Sequence, residues 1–351
     1  MDKKIRFAIF GMNQGARIAE RAIKNPACDL VAVAGFGQQA EDASKKYNAP
    51  LYGDYNDLLA NVELDAVAIA LPNQLHLPAT QACVDAGIKY ILLEKPIATT
   101  VEDGEKIIEI CEKAGVTLLI GHHRRSSSLV LFLKDFIKSG RLGDIVALQD
   151  SYAICKNPGY WDDEWHQKPT GGPLLVNAIH DIDDINNVMD MTPARIYAAK
   201  RSTIRGNEAE DSCSALIEFV EGPTATYFVS DGTPGPWNYD LLAHADERMC
   251  MSPDPQDSMH IFGTKGSFGF PSMNFYTYAD EEHWGWFQPM VHEHFDVELN
   301  DPMQSEMDHF FNLCLGIETE PRCTGQHGLN TLKMVNAIIE SADTKQVVEI
   351  H

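Results

Sequence analysis

The sequence predicts an α/β nucleotide-binding domain followed by an α+β domain built on an open, mostly antiparallel sheet. Three observations lead there. The chain has 351 residues of which 44% are hydrophobic, more than one core accommodates. Its first 120 residues alternate short β-branched runs with longer amphipathic stretches, the pattern of βαβ units around a parallel sheet. After Gly121 that pattern gives way to segments alternating apolar and polar residues, as strands with one solvated face do.

Taken in order, residues 4–10 read as a strand, 16–24 as a helix, 30–34 as a strand and 40–47 as a helix. Residues 65–70 and 90–93 are further strands, each preceded by helix-compatible sequence, and 116–120 closes the set. In the second half, 145–152, 215–220 and 225–229 alternate as antiparallel strands, while 305–315 and 328–341 read as helices. The boundary falls at residue 122. Residues 1–122 are expected to form a dinucleotide-binding Rossmann domain, and residues 123–351 a substrate-binding and oligomerisation domain. Neither internal repeats nor low-complexity tracts interrupt them.

Net charge is −23, most of it carried beyond residue 120. Such a field repels polyphosphate and anionic lipid, which argues against nucleic acid or membrane as partner and for a neutral small-molecule substrate. The opening MDKKIRFAIFG lacks the small-residue cleavage site of a signal peptide, and no apolar run reaches the roughly 18 residues of a membrane span. A cytoplasmic protein is expected. The eight cysteines are scattered without a CxxC pair or zinc-ligand spacing, so they are expected to be reduced thiols that mostly fill the core.

Behind the first strand, Gly11-Met12-Asn13-Gln14-Gly15-Ala16 stands where a GxGxxG turn brings backbone amides and a helix N-terminus to a pyrophosphate. Asn13 replaces the second glycine, although Asn tolerates positive φ better than most residues. An ordinary βα turn is the plainer alternative. Gly35 stands where an acidic side chain would bind the adenosine ribose of NAD, and no Arg stands beside it to hold a 2′-phosphate, so this position does not decide between NAD and NADP; NAD is the expectation, with NADP left open. Two strand ends add candidates: Leu71-Pro72-Asn73-Gln74-Leu75-His76, whose Asn73 and His76 can hydrogen-bond ribose or carboxamide, and Glu94-Lys95-Pro96, whose lysine can steer a reacting hydroxyl. A turn with a helix start and an exposed surface lysine are the bland readings.

These segments, together with Gly121-His122-His123-Arg124-Arg125 and the run Gly171-Gly172-Pro173-Leu174-Leu175-Val176-Asn177-Ala178-Ile179-His180-Asp181-Ile182-Asp183, resemble the Gfo/Idh/MocA oxidoreductases. The resemblance covers nearly the whole chain, since Ile261-Phe262-Gly263-Thr264-Lys265-Gly266-Ser267 and the helix from Ser305 also match later landmarks. It implies a Rossmann domain followed by an open-faced sheet, with substrate between that sheet and the nicotinamide, and a homo-oligomer, usually a dimer or tetramer. It also implies that Lys95 and His180 are catalytic. Members often place Asp four residues before that histidine; here Val176 stands there, and Asn177 is the nearest polar group.

Read physically, the Gly171-Gly172-Pro173 break puts Asn177 and His180 on one helical face. An imidazole is the natural base for a hydroxyl proton leaving as hydride departs from the same carbon, with Lys95 polarising that oxygen and NAD(P) performing the redox step. A polar helix-capping cluster is the competing explanation. The stretch from Lys156 to Gln167 has the aromatic and polar makeup of a carbohydrate site, with Lys156 and Tyr160 expected to touch substrate and Trp161 and Trp165 as stacking walls. Arg125 is expected beside the cofactor. His292 and His294 share one side of a strand and could chelate a metal, but the sequence offers no third ligand and no metal is expected. Trp284, Trp286 and Phe287 read as an apolar interface or core edge.

The expected activity is oxidation of one secondary alcohol of a sugar, glycoside or cyclic polyol to a ketone. Two alternatives remain open: a glycosidase using NAD for transient oxidation at C3 followed by elimination, and a dinucleotide-binding regulator without turnover.

Overall fold

A computed structural model describes residues 4–243 and 256–350. The chain divides into two compact units, Met1–Ser126 with Asn300–Leu332 and Ser127–Leu299 with Lys333–His351.

The first unit is built on six parallel strands, β1 (Ile5–Phe10), β2 (Cys28–Ala34), β3 (Leu51–Tyr52), β4 (Ala66–Ile69), β5 (Tyr90–Glu94) and β6 (Thr117–Gly121), in the order β3-β2-β1-β4-β5-β6. Between them run helices α1 (Gly15–Ala22), α2 (Gln38–Tyr47), α3 (Tyr55–Asn61), α4 (His76–Asp85) and α5 (Val101–Ala114). Strands such as β4, Ala-Val-Ala-Ile, are apolar at every position because helices cover both faces of a parallel sheet. Helix α5 shows how local sequence sets the ends. Thr100 caps it by accepting from the Asp103 amide at 3.1 Å, Glu102 and Asp103 oppose the positive end of the helix dipole, and Gly115 closes it at φ 63°. The chain order reverses between β1 and β4, the switch point at which open α/β sheets bind ligands.

The second unit contains α6 (Ser128–Lys138), β7 (Ile145–Ala153), α7 (Pro173–Val176), α8 (Ala178–Met189), β8 (Pro193–Arg201), β9 (Ser212–Phe219), β10 (Thr224–Ser230) and α9 (Tyr239–Leu242). Strands β11 (Met259–Gly263), β12 (Ser267–Phe270), β13 (Asn274–Thr277), β14 (Val291–His294) and β15 (Val348–Glu349) complete a nine-stranded sheet ordered β14-β13-β12-β11-β7-β10-β9-β8-β15. Every pairing is antiparallel except β7 with β10. One face carries Leu148, Ala225, Tyr227, Val229, Ile217 and Ile196, which form a core with α6 and α8. The opposite face leaves Gln149, Tyr197, Leu216, Thr226, Phe262 and Tyr276 exposed, and a cavity of about 860 Å³ opens on it.

The expected single cut at residue 122 differs from this division. The first unit runs on to Ser126 and regains residues 300–332, which hold α10 (Pro302–Leu315) and the start of α11 (Gly325–Thr344). Packing explains the return: α10 sets Phe310 and Phe311 against Phe7 of β1 at ring-centroid distances of 6.0 and 5.5 Å, and the Ile120 amide donates to the Cys323 carbonyl at 2.9 Å. Burying each phenyl contributes about 1.5–3 kcal/mol to that core. Among the described cysteines all are free thiols; five are buried, Cys28 is half-buried and Cys155 is exposed. No helix among the described residues is long and apolar enough to cross a membrane.

Candidate active site

In the first unit, the expected residues gather at the C-terminal edge of the parallel sheet. Gly11 ends β1 at φ +85°, and a Cβ there would lie 2.3 Å from the Ala70 carbonyl oxygen beyond β4. A Cβ on Gly15 would meet Ile9 at 2.7 Å. Only glycine lets the turn lie this close to the sheet and α1 start this close to β1. No side chain caps the first turn of α1, so its amides stay available to an anion, and Asn13 and Gln14 at the turn's tip are exposed. Met12 points inward instead, and its side chain fills the space beside Gly35. These features fit a bound dinucleotide pyrophosphate. The ribose carboxylate stays absent, because Gly35 leads only to Phe36, which is 90% exposed.

The two later strand ends are tied together by His76. It is fully buried, with Nε2 3.0 Å from the Leu71 carbonyl and Nδ1 3.0 Å from that of Pro96. Both ring nitrogens are therefore engaged by backbone, which makes His76 a brace between the Leu71 turn and the Glu94-Lys95-Pro96 turn and leaves it no group for a ribose or carboxamide. Burial holds its pKa below the ordinary imidazole value, against the pull of the three carbonyls around it. Asn73 and Pro72 are exposed beside it.

Glu94, at the end of β5, accepts from the Lys95 amide at 3.3 Å. Burial raises its pKa, with Lys95 and Arg17 opposing. His123 is pushed down to about 3, chiefly by burial and then by Arg124, Lys95, Arg17 and His122. It is a neutral imidazole amid four cationic or imidazole neighbours, and neither it nor Arg17 was singled out from sequence. Arg125 is buried rather than open at the edge, its guanidinium 3.4 Å from the Arg322 carbonyl oxygen.

In the second unit, the helical run breaks where Asn177 stands. Helix α7 ends at Val176, α8 begins at Ala178, and Asn177 donates to the Tyr152 hydroxyl at 3.1 Å. Every residue of α8 is buried except His180. Its neighbour Asp181 accepts from the Tyr227 hydroxyl at 2.6 Å, so the sheet fixes the helix one residue from the imidazole.

Lys156 and Tyr160 meet each other. The ammonium sits 4.1 Å from the Tyr160 ring centre and 3.8 Å from Asp231, a carboxylate with no solvent exposure. Asp231 also takes Arg205 at 2.5 Å, and Arg205 stacks 3.7 Å from the centre of the Trp161 ring. Burial brings the Lys156 pKa down to about 8, with Asp231 raising and Arg205 lowering it, and pushes Tyr160 up to about 12. Trp165 lies against His166, with half of its surface exposed. Asp231 and Arg205 escaped the sequence reading because nothing local marks a partner 75 residues away in the chain.

A parallel sheet ordered this way, with a glycine turn and an uncapped helix at its switch point, defines a dinucleotide-binding protein. The comparisons make that class specific. A model described as "Oxidoreductase family, NAD-binding Rossmann fold" matches residues 5–122, and a "GFO/IDH/MocA C-terminal domain" model matches residues 130–269. The chain belongs to the GFO/IDH/MocA oxidoreductase family. It is 25% identical over 370 residues to a D-xylose 1-dehydrogenase [NADP(+)] of Haloarcula marismortui, covering 99% of this chain and 94% of that one. To the D-glucoside 3-dehydrogenase of Escherichia coli it is 28% identical over 239 residues, 66% of each. The fold is shared with a myo-inositol 2-dehydrogenase of Lactobacillus plantarum, at a TM-score of 0.77 and 19% identity over 99% of this chain and all of that one.

Proposed function

We propose that the protein oxidises one secondary alcohol of a neutral sugar, glycoside or cyclic polyol to a ketone, with NAD as the favoured acceptor and NADP not excluded. The observation that carries this reading is the setting of His180, the one residue left unburied on a helix otherwise enclosed on all sides. A half-buried imidazole at that position suits the proton acceptor of a dehydrogenase.

In this reading the glycine turn and the uncapped start of α1 hold the pyrophosphate, and Asn13, Gln14, Asn73 and Pro72 border the rest of the dinucleotide. The bound nicotinamide supplies the hydride acceptor. Lys95 binds and polarises the substrate oxygen, His180 removes its proton, and Asn177 orients the substrate from the start of α8. Glu94, held beside Lys95, places the lysine; Lys156, Tyr160 and Trp161 form one wall of the substrate pocket. The acidic surface supports a neutral substrate over an anionic one. We also assign the exposed face of the nine-stranded sheet to contact with a second copy of the chain. A cytoplasmic location is consistent with this chemistry.

Incubating purified protein with NAD or NADP and a panel of sugars, glycosides and inositols tests the assignment. Accumulation of reduced nicotinamide with a ketone product is expected. Release of an aglycone without net reduction would replace it by the glycosidase reading, and nucleotide binding without turnover on any member by the regulator.

A further inference from the structure

We propose that Asn274, His292 and His294 form a binding site for a divalent transition-metal ion of the zinc type, separate from the dinucleotide and His180 chemistry. Strands β13 and β14 pair antiparallel, with Asn274 opposite His294 and Tyr276 opposite His292. Alternation along each strand puts these four residues on one face, while Glu293 points the other way, to Arg141. The two imidazoles converge on one oxygen. His292 Nε2 lies 2.9 Å and His294 Nδ1 3.0 Å from Asn274 Oδ1.

That spacing has the bite of a chelate. Two donor atoms about 2.1 Å from a tetrahedral zinc ion stand about 3.4 Å apart, so the groups now hydrogen-bonded at 2.9 and 3.0 Å open by a few tenths of an ångström to take the ion. Two imidazole nitrogens and an amide oxygen make three ligands. The surrounding groups match as well. Asp296 Oδ1 lies 3.3 Å from His294 Nε2, the carboxylate partner that a metal-bound imidazole takes on its distal nitrogen. The Tyr276 ring stacks on His292 with centres 4.9 Å apart and planes at 14°, and the Ser272 hydroxyl accepts from Asn274 Nδ2 at 2.8 Å, leaving Oδ1 turned to the histidines.

No trio of His, Cys, Asp or Glu able to hold a metal occurs among the described residues, so the third ligand here is an amide oxygen that a histidine count overlooks. The net charge of −23 favours a cation. A bound ion would clasp β14, a four-residue strand at the sheet edge, to β13.

The test is calorimetric titration of the metal-stripped full-length protein with zinc chloride at mildly alkaline pH, beside Asn274→Ala, Asn274→Asp, His292→Gln and His294→Gln, each checked for an unchanged circular dichroism spectrum. The expected result is one saturable site in the unaltered protein. Either glutamine change should weaken it at least about tenfold, about 1.4 kcal/mol; Asn274→Ala should weaken it several-fold and Asn274→Asp tighten it. Absence of a saturable site overturns the proposal, as do histidine variants that bind zinc unchanged. Equal affinity in Asn274→Ala and the unaltered protein overturns the three-ligand site.

Discussion

At the scale of single residues, the candidate site is a set of ionisable groups held away from their solution behaviour by burial. His123 is kept neutral, and burial holds the His76 pKa below the ordinary imidazole value against the carbonyls around it. The unfolded chain protonates such histidines near pH 6.5 while the folded one resists, so the unfolded state binds more protons as pH falls and stability drains from about pH 6.5 towards the folded value. Glu94 and Asp231 have raised values for the same cause and act in the opposite sense. The His123 share is isolated by comparing His123→Asn with the unaltered protein: chemical denaturation between pH 7 and 5 should show a smaller loss of stability in the variant, and equal slopes would contradict a neutral His123. Among the described residues, Asp231 is the carboxylate that pairs with both Lys156 and Arg205. Asp231→Ala strands two half-buried cations and should cost about 3–5 kcal/mol, read as a lowered denaturation midpoint; a change below about 1 kcal/mol would mean the cluster is solvated.

Much of this residue level was legible in sequence because it sits in contiguous runs. Gly11 to Ala16, Glu94-Lys95-Pro96 and the segment through His180 each announce themselves within a few positions. His76 was legible as a polar residue at a strand end but not as a brace, since its partners at Leu71, Pro96 and Ile97 are backbone carbonyls that no side-chain pattern encodes. Asn274 was invisible beside His292 and His294 for a similar reason: strand pairing across about 18 residues brings it there.

Elements show the same division between local and non-local information. Most strands and helices of the first 120 residues follow from hydrophobic period; the two-residue β3 is too short to carry a period, and the helix Val101–Ala114 was not assigned before the strand at 116–120. In the second half, alternation revealed β7, β9 and β10 but not that β7 and β10 run parallel, because period fixes a strand's faces and not its direction. The helix expected at 305–315 forms as Pro302–Leu315, but in the first unit rather than the second. Its apolar face names no partner, yet Phe310 and Phe311 fill the core around Phe7. A fragment ending at residue 126 should therefore fail to fold cooperatively by circular dichroism and thermal melting, whereas Phe311→Ala in the full chain should cost about 3–5 kcal/mol. A cooperative melt of the short fragment would show that the returning segment is dispensable.

For the whole molecule, composition pointed to two cores and an acidic chain, and alternation along the second half to a sheet with one face uncovered. Tyr197, Leu216, Phe262 and Tyr276 remain exposed on that face, apolar area that a second copy can bury. Sedimentation velocity is expected to find a dimer or tetramer, and Leu216→Glu with Tyr197→Glu to shift it towards monomer; a monomer at micromolar concentration would contradict the assignment of the sheet face.

The catalytic reading rests on His180, and the most direct measurement is the rate of nicotinamide reduction by His180→Ala beside the unaltered protein, on whichever panel substrate is oxidised, with NAD affinity determined for both. The reading predicts a loss of about 10²–10⁴-fold in kcat with cofactor affinity unchanged. A variant that turns over at nearly the original rate would contradict it.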